Sequence, residues 1–168
     1  MKRSVYLETT VISYLAARPA RDPVTLGRQT LTREWWRVRR EAFDLVIWDL
    51  VLQEMQADDS EVACSRLDMA TGIPSLPVSS ESVALAEMLV AEGSIPAAFV
   101  EDALHVALCA VNNSEAASYR PAADIDFLLT WNCTHLANAA LRFDLESAVS
   151  RGGFQCPVIC TPEELMEP

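Results

Sequence analysis

Apolar residues along this chain recur with two different periods, and the alternation between them predicts the order of its elements. SVYL (4–7), DLVIW (44–48) and IDFLLTW (125–131) are short, nearly unbroken apolar runs, as expected of strands buried on both faces. SLPVS (75–79) and PVIC (157–160) read as two further strands. The intervening segments carry apolar residues at helical spacing: 9–17, with threonines able to cap its start, then 25–41, 50–56, 60–70, 80–92, 96–111 and 136–151. Ser80 or Ser82 supplies a cap, Pro96 a helix start, and Gly93, Gly152 and Gly153 helix stops. Segments 18–23, with two prolines, and 112–123 read as loops. Strands alternating with helices imply an α/β protein, a three-layer α/β/α sandwich with a mainly parallel central sheet, as one domain over residues 1–168. In such sheets ligands bind beyond the carboxyl ends of the strands, so the chemistry is sought in the polar residues that follow each apolar run.

Those residues form a pattern. Glu8 directly follows the first strand, and Thr10 lies two positions on. Asp49 follows the second strand, with Glu54 about one turn into the next helix. Asp102 sits near the start of the helix after Pro96, among Ala98, Phe99, Leu104 and Val106. Thr130 and Asn132 close the 125–131 run, with His135 behind them. Carboxylates held close together repel, and a bound Mg²⁺ or Mn²⁺ relieves the repulsion, so Glu8, Glu54 and Asp102 suggest a cation site. Each residue also has a plainer reading. Glu8 and Asp102 suit the positive end of a helix dipole, Glu54 a solvated surface, and Asn132 a turn. Asp49, Glu101 and Asp126 read as mostly solvated. His105 lies on nearly the same helix face as Asp102 and reads as a core or supporting residue. His135 reads equally as a loop hydrogen-bonder or as a group near a phosphate. Trp35 and Trp36 read as packing residues, with base stacking as the alternative.

Composition narrows the classes. The chain has 168 residues, 51% hydrophobic and 22% charged, which suits a globular protein. A net charge of −11 argues against broad adhesion to nucleic acid, but leaves room for a cation site or a basic partner. Arg33, Arg37, Arg39 and Arg40 form either the local patch that a polyanion needs or an ordinary solvated helix face. No apolar run reaches the roughly 18–20 residues of a membrane helix. MKRSVYLETT lacks a signal-peptide pattern, so the expected location is the cytoplasm. Five cysteines, Cys64, Cys109, Cys133, Cys156 and Cys160, are an odd number and read as reduced thiols. A zinc site from Cys133, His135, Cys156 and Cys160 fails, because an extended 157–160 segment separates the last two α-carbons by about 13 Å. With glycine only at 27, 72, 93, 152 and 153, no dinucleotide fingerprint or P-loop can be written.

Four segments resemble the motifs of PIN-domain nucleases, in family order and over nearly the whole chain. VYLETTVISYL is similar to their opening strand and helix, usually LDTSVI, and WDLVLQEM to their second acidic motif. VEDALHVALCA is similar to the third, an Asp opening an apolar helix, and DFLLTWNCTHLAN to the fourth, a strand followed by Thr-x-Asp or Thr-x-Asn. Size and layout resemble the toxin ribonucleases of bacterial toxin–antitoxin pairs (the VapC type). The resemblance implies a metal-dependent endoribonuclease in which Glu8, Glu54 and Asp102 hold Mg²⁺ or Mn²⁺. Asn132 would join these three in catalysis, and Thr10, Thr130 and His135 would surround the metal and substrate. It also implies an RNA substrate, a basic antitoxin as partner and a homodimer. Two positions depart from the family pattern: its first acid is usually Asp, where this chain has Glu8, and its fourth position often adds an acid, where this chain has Asn132 and His135. The alternative is therefore a catalytically weak or inactive PIN-type module that binds RNA or a protein.

Overall fold

In this computed structural model residues 2–49, 51–52, 66–112 and 125–166 are described, and they include five strands. These are β1 (Arg3–Leu7), β2 (Phe43–Trp48), β3 (Ser75–Leu76), β4 (Ile125–Leu129) and β5 (Val158–Cys160). They pair in the order β3-β2-β1-β4-β5, and every pairing is parallel. The inner strands β1 and β4 are the most deeply buried, because a central strand of a parallel sheet is covered on both faces. Val5, Tyr6, Leu7, Leu128 and Leu129 are fully buried. Between Ser4 and Val5 the β1–β4 register shifts, and Asp126 Oδ2 accepts a hydrogen bond from the Ser4 amide at 2.8 Å. Asp126 is thus a repair of the ladder at an irregularity.

The helices are α1 (Thr9–Ala16), α2 (Pro23–Val38), α3 (Ser80–Ala91), α4 (Val100–Asn112) and α5 (Ala139–Arg151), with residues 66–70 also helical. α1 packs against α2, and α3 packs against both α4 and α5. Connections between parallel strands are right-handed almost without exception. The path β1–β2–β3 and the path β3–β4–β5 run in opposite directions across the sheet, so their helices fall on opposite faces. The result is an α/β fold with an all-parallel sheet, compatible with a three-layer α/β/α sandwich. No helix among the described residues is long and apolar enough to cross a membrane.

Several boundaries differ from the sequence reading for identifiable reasons. α1 is capped by Glu8, whose carboxylate accepts from the Thr10 amide, and not by a threonine. α2 opens at Pro23, since Asp22 caps it and proline suits the first helical position; it closes at Val38, ahead of a 3₁₀ turn over residues 40–42. The cap of α3 is Ser79, in a reciprocal capping box with Ser82. β3 keeps only two residues of the expected 75–79 strand. The expected 96–111 helix divides into a 3₁₀ turn over residues 97–99 and α4. α5 begins at residue 139, where the Asn138 side chain caps it. Gly93 and Gly153 have φ of +77° and +85°, as the stops after α3 and α5 require. The expected helix around Glu54, Cys64, and most of the 112–123 loop lie outside the described residues.

Candidate functional site

The chain leaves β1 toward β2 on one side and returns through β4 on the other. The strand order therefore reverses between β1 and β4, and the crevice at their carboxyl ends is where open α/β sheets bind ligands. Glu8 terminates β1 and Thr130 terminates β4, so both lie on this crevice. The Glu8 amide donates to Leu129 O at 3.1 Å and the Thr130 amide to Cys160 O at 3.0 Å, which fixes both backbones to the sheet.

Glu8 is buried, at 5% exposure. Its Oε1 accepts from the Thr10 amide at 3.1 Å, and its Oε2 accepts from the hydroxyls of Thr10 and, at 2.7 Å, of Thr130. The two hydroxyls are themselves held. Thr10 Oγ1 accepts from the Trp131 amide and Thr130 Oγ1 from the Asn132 amide, each at 2.9 Å. Each threonine hydroxyl thus accepts from the backbone, which directs its own proton at the carboxylate. A buried carboxylate persists only when hydrogen-bonded in this way. A carboxylate offers about four lone-pair directions, and three are occupied here.

The strand expected over 125–131 ends at Leu129 because Thr130 and Trp131 turn into this clamp. The Trp131 indole donates Nε1–H to Thr32 Oγ1 at 2.7 Å, pinning the end of β4 to α2. From there the chain turns tightly. Asn132 Oδ1 accepts from the His135 amide at 3.1 Å, and Asn132 O accepts from the amides of Leu136 and Ala137. Asn132 is a turn residue, and its side-chain oxygen is used to place His135.

His135 in turn meets Asp102. Its Nδ1 lies 2.8 Å from Asp102 Oδ2, with the two side chains 12% and 17% exposed. Asp102 stands in the first turn of α4, where the helix dipole favours an acid. The Phe99 ring packs on the imidazole, centroids 4.0 Å apart, and is 42% exposed, so it forms part of the rim. Hydrogen bonds joined by the backbone and side chains of Asn132 and His135 thus connect Glu8, through Thr130, to Asp102. Of the residues expected at the site, Glu8, Thr10, Thr130, Asn132, His135 and Asp102 are brought together, and Glu54 lies outside the described residues.

Other candidates have structural roles. His105 is 1% exposed and shares a 2.5 Å hydrogen bond with the Tyr6 hydroxyl beneath the site. Asp49 accepts from the Ser75 hydroxyl at 2.7 Å. Trp35 is fully buried and stacks on Phe43. The four-arginine stretch is largely committed. Arg33 donates to Ala17 O, Arg37 pairs with Glu34 at 2.7 Å, Arg39 lies over Phe43, and Arg40 lies over Trp36 at 4.3 Å. Phe99 and Arg28, which lies 5.5 Å over the Trp131 ring, border the site without having been singled out in the sequence. Neither carries a local signal, since both reach the site only through tertiary packing.

The donor atoms at the site are hard oxygens, which suit Mg²⁺ or Mn²⁺ better than a softer ion. Glu8 retains a lone-pair direction, and Asp102 Oδ1 makes no hydrogen bond among the described residues. Among those residues no group of three or more His, Cys, Asp or Glu side chains could hold an ion. Cys109, Cys133, Cys156 and Cys160 are free thiols, and burial pushes those of Cys156 and Cys160 up to about 12. Comparison of the chain with protein-family models, curated proteins and solved structures finds no match.

Proposed function

We propose that this protein is a metal-dependent nuclease of the PIN-domain type that hydrolyses RNA. The observation that carries the reading is Glu8: a buried carboxylate at the point where strand order reverses, oriented by two threonine hydroxyls and linked by hydrogen bonds to Asp102. A divalent cation bound there would neutralise charge on the scissile phosphate and supply a hydroxide-like water at neutral pH. The chain's own residues do the positioning. Thr10 and Thr130 fix the direction of Glu8, so the carboxylate is held without rotameric search. His135 holds Asp102 through Nδ1, and Asn132 holds His135 through its amide. Asn132 and His135, at the places where the family pattern often adds an acid, serve to hold Asp102. Glu54, by its place in the sequence pattern, is the proposed third carboxylate.

The test is cleavage of a labelled single-stranded RNA by purified protein in Mg²⁺ or Mn²⁺. Cleavage that EDTA stops supports the reading, and cleavage at the same rate in EDTA refutes the metal mechanism. A binding-only module is the second reading. It draws on the use of Asn132 as a turn residue where a catalytic acid often stands, and RNA binding with no cleavage in any metal would favour it.

A further inference from the structure

Charge is distributed very unevenly along this chain. Residues 18–40 carry seven arginines and two acids, a net of +5, inside a chain of −11, so everything outside them sums to −16. The structure divides these arginines in two. β2 is parallel to β1 and so starts at the amino end of the sheet, and α2 feeds it through residues 40–42. α2 therefore ends at the amino end, and its sixteen residues, at about 1.5 Å each, span about 24 Å back toward the carboxyl end. The Trp131 contacts with Arg28 and Thr32 place the first half of α2 beside the strand ends that carry Glu8 and Thr130. Arg33, Arg37, Arg39 and Arg40 descend away from the site and are committed to Ala17 O, Glu34, Phe43 and Trp36. Arg18, Arg21 and Arg28 stand on the site side; of these Arg28 is itself engaged over the Trp131 ring and Arg18 also has an interaction of its own. Arg18 and Arg21 are exposed and Arg28 is half-buried. Arg21 makes no hydrogen bond or ion pair among the described residues. Asp22 is the one acid between them, and its carboxylate is occupied in capping α2 through the Thr25 amide and hydroxyl, both at 2.8 Å.

We propose that the α1–α2 corner, with Arg18, Arg21 and Arg28, is a docking surface for the phosphate backbone of a single-stranded RNA whose scissile phosphate lies at Glu8 and Asp102. The identity of the polyanion rests on the nuclease reading. An acidic protein repels a nucleic acid at long range, so binding must be concentrated where the local field is positive, and this corner is continuous with the site through the Trp131 ring. Contacts of this kind position a strand without reading its sequence.

The experiment is fluorescence anisotropy of a fluorescein-labelled single-stranded oligoribonucleotide, titrated in EDTA so that no cleavage occurs, across a series of salt concentrations. The proteins are wild type, Arg21→Glu, Arg28→Gln and, on the committed face, Arg37→Gln. Each lost phosphate contact lowers the slope of log affinity against log salt by about 0.7, which is about fivefold in affinity at 0.1 M salt. Arg21→Glu and Arg28→Gln should each show at least this loss, and Arg37→Gln should behave as wild type. Arg21 is exposed, so its variant keeps the test valid should Arg28→Gln disturb Trp131. Slopes unchanged in both variants would overturn the docking surface. So would light scattering in which Arg21→Glu dissociates a dimer without changing RNA affinity, since the corner would then face the acidic surface of a second copy. RNA cleavage with unchanged slopes defeats the docking surface alone. Arginine-dependent binding without cleavage in any metal defeats the nuclease reading alone.

Discussion

Thr130→Val removes one hydroxyl and keeps the side-chain shape, so it isolates the clamp on Glu8. Thr130 is fully buried; its hydroxyl donates to Glu8 Oε2 at 2.7 Å and accepts from the Asn132 amide at 2.9 Å. A hydrogen bond to a buried charged group contributes about 1.5–3 kcal/mol, and the part-buried Asn132 amide left without an acceptor costs at most about 1–3 kcal/mol. The two losses share one hydroxyl and partly relax, so the expected destabilisation is about 3 kcal/mol. For a chain of this length that lowers the melting temperature by about 6–12 °C. Thr130→Ser keeps the hydroxyl and loses one methyl group, for about 1 kcal/mol. Thermal melts followed by circular dichroism, in EDTA, compare the two variants with wild type. Thr130→Val as stable as Thr130→Ser would show that Glu8 does not depend on this hydroxyl, and the clamp would lose its energetic basis.

Four further outcomes follow from the same structure. Asp102→Asn keeps an oxygen that accepts from His135, so the metal-free protein should change by no more than about 1 kcal/mol, while RNA cleavage is lost. Mn²⁺ at a hundredfold excess over its Kd should stabilise wild type by about 2.7 kcal/mol and Asp102→Asn by much less; equal gains in paired melting curves would place the ion elsewhere. The thiols of Cys156 and Cys160 ordinarily ionise near 9.0 and are held neutral to about 12 chiefly by burial, and that of Cys109 is raised well above its ordinary value by the same cause. A folded-state pKa raised above the unfolded one gives stability that is complete below pH 9.0 and is lost as pH rises toward 12. Unfolding free energies from urea melts should accordingly fall through that window, by up to about 4 kcal/mol for each of the two thiols. Cys156→Ala should flatten the fall, and a profile identical to wild type would contradict this assignment. Exposed Cys133 should be alkylated well before Cys109, Cys156 or Cys160 near neutral pH; labelling read by peptide mass at matched times checks the order.

Much of the fold was legible because burial on both faces of a parallel sheet leaves unbroken apolar runs, as in 4–7 and 44–48. The position of Glu8 followed from the same fact: the first polar residue after such a run stands at the mouth of the sheet. Errors arose where a residue serves tertiary contacts at an element's end. Trp131 is apolar and looked like a continuation of β4, but its ring belongs to α2. Pro23 looked like loop, although proline at a first helical position needs no amide partner. The Asp102–His135 pair spans 33 positions and the Tyr6–His105 pair spans 99, and no local pattern encodes either distance. The arginines showed the same limit. Their density was visible in the sequence, but which of them face the site depends on the direction in which α2 descends.

The most direct measurement is an anomalous difference map, at the manganese edge, from crystals of the wild-type protein grown or soaked with Mn²⁺. A single peak in contact with both a Glu8 oxygen and an Asp102 oxygen, at about 2.0–2.3 Å from each, is the expected result. A peak that touches neither carboxylate, or a map with no peak at a concentration where Mn²⁺ raises the melting temperature, would contradict a cation site shared by Glu8 and Asp102.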